Sequence, residues 1–150
     1  MKLAEALIER AETKRQIQQI VVRMKKNAQV QEGDEPAENV AELYTVYESM
    51  MEKLETLIIR INKTNSETLL DGISLADAIA KRDCVKAKIS ANREVLESAT
   101  AKATRYSNSE IKYVRTVDVA KTQRVIDDYS KQYRELDTKI QARNWDTELL

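Results

Sequence analysis

The sequence has no histidine and no phenylalanine. It has one cysteine, one proline, one tryptophan and two glycines in 150 residues. Each shortage excludes something. Without His there is no Ser-His-Asp or Cys-His nucleophilic system, no HExxH zinc site and no His-ligated haem. Cys84 alone cannot make an internal disulfide, a CxxC site or an iron–sulfur cluster. A lone thiol suits a reducing cytoplasm, which is the expected location. So few turn formers cannot build an all-β sandwich or barrel. Glu5 and Glu9 interrupt the apolar run that a secretion signal needs. The longest aliphatic runs, such as Ile20–Val22 and Leu57–Ile59, fall far short of the roughly 20 apolar residues that span a bilayer.

What is present favours helices. The periodicity predicts a mostly all-α chain with helices over about 2–28, 36–63, 75–103 and 117–143. In the first, Leu3, Leu7, Ile17, Val21 and Met24 recur at helical spacing, with Ile8, Ile20 and Ala28 beside them and gaps at Arg10 and Lys14. In the second, Val40, Leu43, Tyr47, Met50, Leu54, Leu57 and Ile61 alternate steps of three and four, widened by Tyr44, Met51 and Ile58. Gly33 can stop the first helix, Asp34 can cap the next, and Pro36 suits its first turn. Leu75, Ala78, Ile79, Val85, Ile89 and Leu96 mark the third, with Arg82 and Asn92 on or beside the stripe. Val119, Ile126, Tyr129, Tyr133, Leu136 and Ile140 mark the fourth. Trp145 and Leu149 are expected to fold back onto the bundle.

Two short strands are expected, about 68–73 and 110–116. Asp71-Gly72 is a turn signal, and Ile111, Tyr113, Arg115 and Val117 alternate with Lys112, Val114 and Thr116. Paired with each other, they would make a two-stranded ribbon at one end of an elongated antiparallel four-helix bundle. Length fits a single domain over 1–150. A thin bundle covers little of its own surface, so a homo-oligomer, a dimer or higher, is expected, or a helical protein partner.

Charge is balanced, with 25 basic and 25 acidic residues, but unevenly placed. Residues 1–31 carry seven basic and three acidic side chains; the next seven carry four acids and no base. A net charge of zero gives nucleic acid little warrant as a partner. Glu32, Asp34, Glu35 and Glu38 could attract a hard cation, but capping and dipole effects explain them without one, and no metal or cofactor is assigned. Cys84 sits beside a core position without a base to activate it. Tyr44, Tyr47, Tyr129 and Tyr133 read as core edges. Arg10, Lys14, Arg82 and Asn92 read as a polar layer or subunit contact; a ligand pocket is the sharper alternative. A speculative ligand site would use the polar residues near one bundle end: Asn62, Asn65, Arg82, Arg105, Tyr106, Glu110 and Lys112. No catalytic residue is assigned, and the reading leans away from an enzyme.

The segments MKLAEALIERAETKRQI, VQEGDEPAEN, INKTN, LADAIAKRD, RYSNSEIKYVRTVDV and ELDTKIQARNWDTELL resemble a bacterial protein family that is largely uncharacterised. Some of its members are labelled septicolysin. The resemblance spans essentially the whole chain. The label implies a cytolytic or membrane-active protein. The residues themselves favour a self-associating structural or interaction module, with a ligand binder or enzyme as a further alternative.

Overall fold

The structure, a computed structural model, describes residues 1–102 and 111–150. It is an all-α fold of four helices with a small two-stranded antiparallel sheet. In chain order these are α1 (Leu3–Asn27), α2 (Val40–Glu67), β1 (Leu69–Leu70), β2 (Ile73–Ser74), α3 (Leu75–Thr100) and α4 (Val119–Asp146). The chain groups into two compact units. One comprises Met1–Leu75 with Gln141–Leu150, the other Ala76–Ile140.

The first unit is built on α1 and α2. The α2 stripe is buried as its spacing requires, at Leu43, Leu54, Leu57, Ile61 and Thr64. The α1 face is turned from the one its large residues suggest. Leu3, Ala4, Ala6, Thr13 and Ile20 are buried, while Val21 and Lys14 are exposed. The buried face of α1 thus mixes the larger Leu3 and Ile20 with the small Ala4, Ala6 and Thr13. The buried hydroxyls of Thr13 and Thr64 donate to the carbonyls of Glu9 and Arg60, each at 2.8 Å. They therefore cost little in an apolar layer.

Helix α2 begins later than Pro36 suggests. Asn39 is its cap, and its side chain accepts from Ala41 N at 2.9 Å. Glu38 instead turns back to Arg23, and its own N–H donates to Asn27 Oδ1 at 3.0 Å. Asp34 and Pro36 thus belong to the connection, and Asp34 does not cap α2.

The sheet also differs from expectation. Leu69 pairs with Ser74 and Leu70 with Ile73, so β1 and β2 form one hairpin. Asp71 and Gly72 both have positive φ, 51° and 87°. A two-residue loop of that handedness matches strand twist, which is why Asp-Gly closes a hairpin here. The expected partner, 110–116, is not part of the sheet; its described residues 111–116 form no strand. A tight local turn closes at far lower entropic cost than a pairing across a whole helix.

The chain ends meet. Lys2 and Glu148 form an antiparallel bridge. Leu3 N donates to Thr147 O and Leu149 N to Met1 O, both at 2.9 Å. Leu149 is buried, but Trp145 is 54% exposed and does not pack inward as expected. Lys2 Nζ lies 2.7 Å and the N-terminal ammonium 3.2 Å from the Glu148 carboxylate. The hydrogen bond from Lys2, with that from the terminal ammonium, holds Glu148 below the ordinary carboxylate range. A depressed carboxylate stabilises the fold above its unfolded value and loses that contribution as pH falls through its folded value. Glu148→Gln should therefore lower Tm slightly at pH 7, as befits an exposed pair. The difference from wild type should shrink as pH falls through the lowered value of Glu148 and be lost below it. A gap that persists in acid would show that the ion pair is not its source.

In the second unit α3 and α4 pack through Val85, Ile89 and Ile126, with Leu96, Tyr129 and Tyr133 against them. This core is small. Lys88 Nζ adds a cation–π contact, 5.3 Å from the Tyr129 ring centre.

Candidate functional site

Three places could carry function. The first is the polar layer between α3 and α4. Arg82 lies on the α3 stripe, one helical step from Ala78 and Val85. Its Nη1 donates to Asp137 Oδ1 at 2.9 Å, and its Nε and Nη2 donate to Asp83 Oδ1 at 2.9 and 2.8 Å. Partial burial pulls the guanidinium down, but the hydrogen bonds to Asp83 and Asp137 outweigh this and hold it above its ordinary value. Arg82 is thus a doubly paired cation that ties two helices. Asn92, half-buried on the same helix, donates to Lys88 O at 2.8 Å.

The second is the end of α2. Asn62 is exposed and Asn65 half-buried, one turn apart. Asn65 Oδ1 is buried and meets no hydrogen-bond donor among the described residues, as is Asn144 Oδ1 in the same unit. Oxygens of that kind are ordinarily met by water. The neighbouring Thr64 hydroxyl accepts from Leu150 N at 3.0 Å, and Arg60 Nε donates to Leu150 O at 2.8 Å. This end of α2 therefore serves to hold the C-terminal residues.

The third is a groove of about 1080 Å³ between the last turns of α3 and residues 111–117. Ala91, Val95, Ala99, Ile111, Tyr113 and Val114 line it. Arg115 Nε donates to Ala99 O at 2.9 Å, capping a carbonyl at the C-terminus of α3. Lys112 is exposed in this segment.

The expected site residues are thus distributed. Asn62 and Asn65 belong to the first unit, Arg82 and Lys112 to the second. Arg105, Tyr106 and Glu110 lie outside the described residues. Of the polar residues read onto α1, Lys14 is exposed and Arg10 half-buried. Cys84 is exposed. Among the described residues no three His, Cys, Asp or Glu side chains are placed to share a metal ion. Nor is any described helix long and apolar enough to cross a membrane.

A family model described as a family of unknown function, DUF6847, matches residues 10–149. The chain belongs to this family. A DUF6847 assignment agrees with the resemblance to a largely uncharacterised group, but it carries no septicolysin label. The chain is also similar to a functionally unknown conserved protein from Corynebacterium diphtheriae, known from its crystal structure. The two are 42% identical, with a TM-score of 0.92 over 100% of this chain and 99% of that one. Its description names no cytolytic activity either. A comparison with curated proteins gives no match.

One surface feature is missing from the expected sites. The apolar residues Tyr44, Met51 and Ile58 follow the α2 contact positions Leu43, Met50 and Leu57 by one residue each. Read from sequence they only widen the core stripe. In the structure Tyr44 and Met51 are exposed. On α1, Leu7, Lys14 and Val21 follow Ala6, Thr13 and Ile20 in the same way. Lys53 and Glu9, 2.7 Å apart, bridge the opposite flank. The two apolar series therefore share one flank of the α1–α2 pair.

Proposed function

We propose that this protein is a self-associating helical module, and that the flank carrying Leu7, Val21, Tyr44, Met51 and Ile58 packs against the same flank of a second copy. The exposure of Val21, Tyr44 and Met51 along that flank, with Leu7 and Ile58 half-buried beside them, is the observation that carries the reading. Charge supports a second copy as the occupant. Helix α1 has six basic and three acidic side chains, a net +3, and α2 has five acidic and three basic, a net −2. A two-fold contact that lays α1 of one copy along α2 of the other sets unlike charges together.

Light scattering coupled to gel filtration tests the reading. The wild-type chain should show twice its 17.2 kDa mass. The Tyr44→Lys/Met51→Lys variant sets two cations against the basic α1 of the other copy and should lower that mass. A wild-type mass of one chain across the micromolar range would overturn the proposal.

A further inference from the structure

We infer that Lys14 and Glu48 choose the partner in this self-contact, Lys14 of each copy pairing with Glu48 of the other. The inference rests on the reading that the chain self-associates through the α1–α2 flank, and it names the side chains that decide which surface fits there.

Lys14 interrupts the apolar series of α1 midway between Leu7 and Val21, and it is exposed. Glu48 is four residues after Tyr44 and three before Met51, so it stands on the same side of α2 as both, and it too is exposed. Neither forms an ion pair or a side-chain hydrogen bond with another described residue.

The flank keeps its charges apart. Followed in alternate steps of three and four, its α1 edge reads Leu7, Ala11, Lys14, Gln18, Val21 and Lys25, with two cations and no acid. Its α2 edge reads Tyr44, Glu48, Met51, Glu55 and Ile58, with two acids and no base. Laid on α1 of another copy, Lys14 would meet an edge without a carboxylate. Laid on α2, it meets one with two.

The level along the helices selects Glu48. Glu9 pairs with Lys53 and Arg23 with Glu38, so α1 and α2 run antiparallel. Lys14 is five residues after Glu9, and Glu48 is five before Lys53, so the two stand level. A two-fold axis along the helices lays α1 of one copy over α2 of the other and keeps that level. Lys14 then enters the gap between Tyr44 and Met51 of the other copy, beside Glu48. Symmetry supplies the pair twice.

Charge exchange in the full chain tests this by light scattering. Lys14→Glu and Glu48→Lys each set like charges together at both contacts, and each alone should self-associate about tenfold more weakly than wild type. Mixed in equal amounts, the two variants should regain the wild-type mass, because every contact of the mixed dimer joins an acid and a base. One chain carrying both substitutions should regain it as well. Both positions are exposed, so the changes spare the core, and circular dichroism checks the fold. A wild-type dimer whose single variants keep its mass, or fail to recover it on mixing, overturns the pairing and leaves the α1–α2 contact standing. A wild-type chain that runs as a monomer overturns both.

Discussion

Ile61→Ala should destabilise the protein by about 3 kcal/mol and lower Tm by roughly 10 °C. Ile61 has no exposed surface. It lies on the buried stripe of α2 with Leu54, Leu57 and Thr64. Packing around a fully buried side chain relaxes only partly into the space left by the lost carbons. Cavity cost then adds to the lost transfer energy. Ile59, two residues away, is 59% exposed. Ile59→Ala should change stability by no more than about 0.5 kcal/mol. Urea unfolding of the pair makes the comparison at constant chemistry. Equal losses at the two positions would contradict the burial of the α2 stripe.

The second large effect is asymmetric. Asp137→Ala should cost about 2 kcal/mol, because it leaves a partly buried Arg82 with Asp83 as its remaining carboxylate. Arg82→Met combined with Asp137→Leu removes both charges and fills the same space. That double change should be close to neutral, since desolvation of an ion pair offsets most of its attraction. If the double variant is less stable than Asp137→Ala, the pair contributes more than its desolvation costs. The layer would then be a source of stability rather than a setter of helix alignment.

The elements most legible in the sequence are those where one force decides. The α2 stripe needs nothing beyond its spacing, and Leu43, Leu54, Leu57 and Ile61 are all buried. Helix α1 was harder to read because size and burial disagree. Its large Val21 lies out and its small Ala6 lies in. The start of α2 was set by competition among caps, and Asn39 holds the position that Asp34 and Pro36 had suggested earlier in the chain. Asp71-Gly72 was visible as a turn, yet its two residues with positive φ make it a hairpin loop, which fixes the strand partner locally. For the candidate site, Arg82 was legible as a polar residue on an apolar stripe. Its partner Asp137, 55 residues away, was not. Side-chain pairs between helices depend on relative rotation, which a single helix pattern does not contain.

The bridge between Lys2 and Glu148 sets an order of events in folding. Its bonds join residues almost the full chain apart, with a separation of 147 for Met1 and Glu148, whereas the Arg23–Glu38 pair spans 15. Closing a loop ten times longer costs about 2 kcal/mol more in chain entropy. Local hairpins must therefore shorten the effective loop before the ends can meet. The bridge forms late, and its opening leaves the helices that preceded it in place. Amide exchange at Leu3 and Leu149 should then report the most local unfolding in the first unit, and exchange at Ile61 the most global.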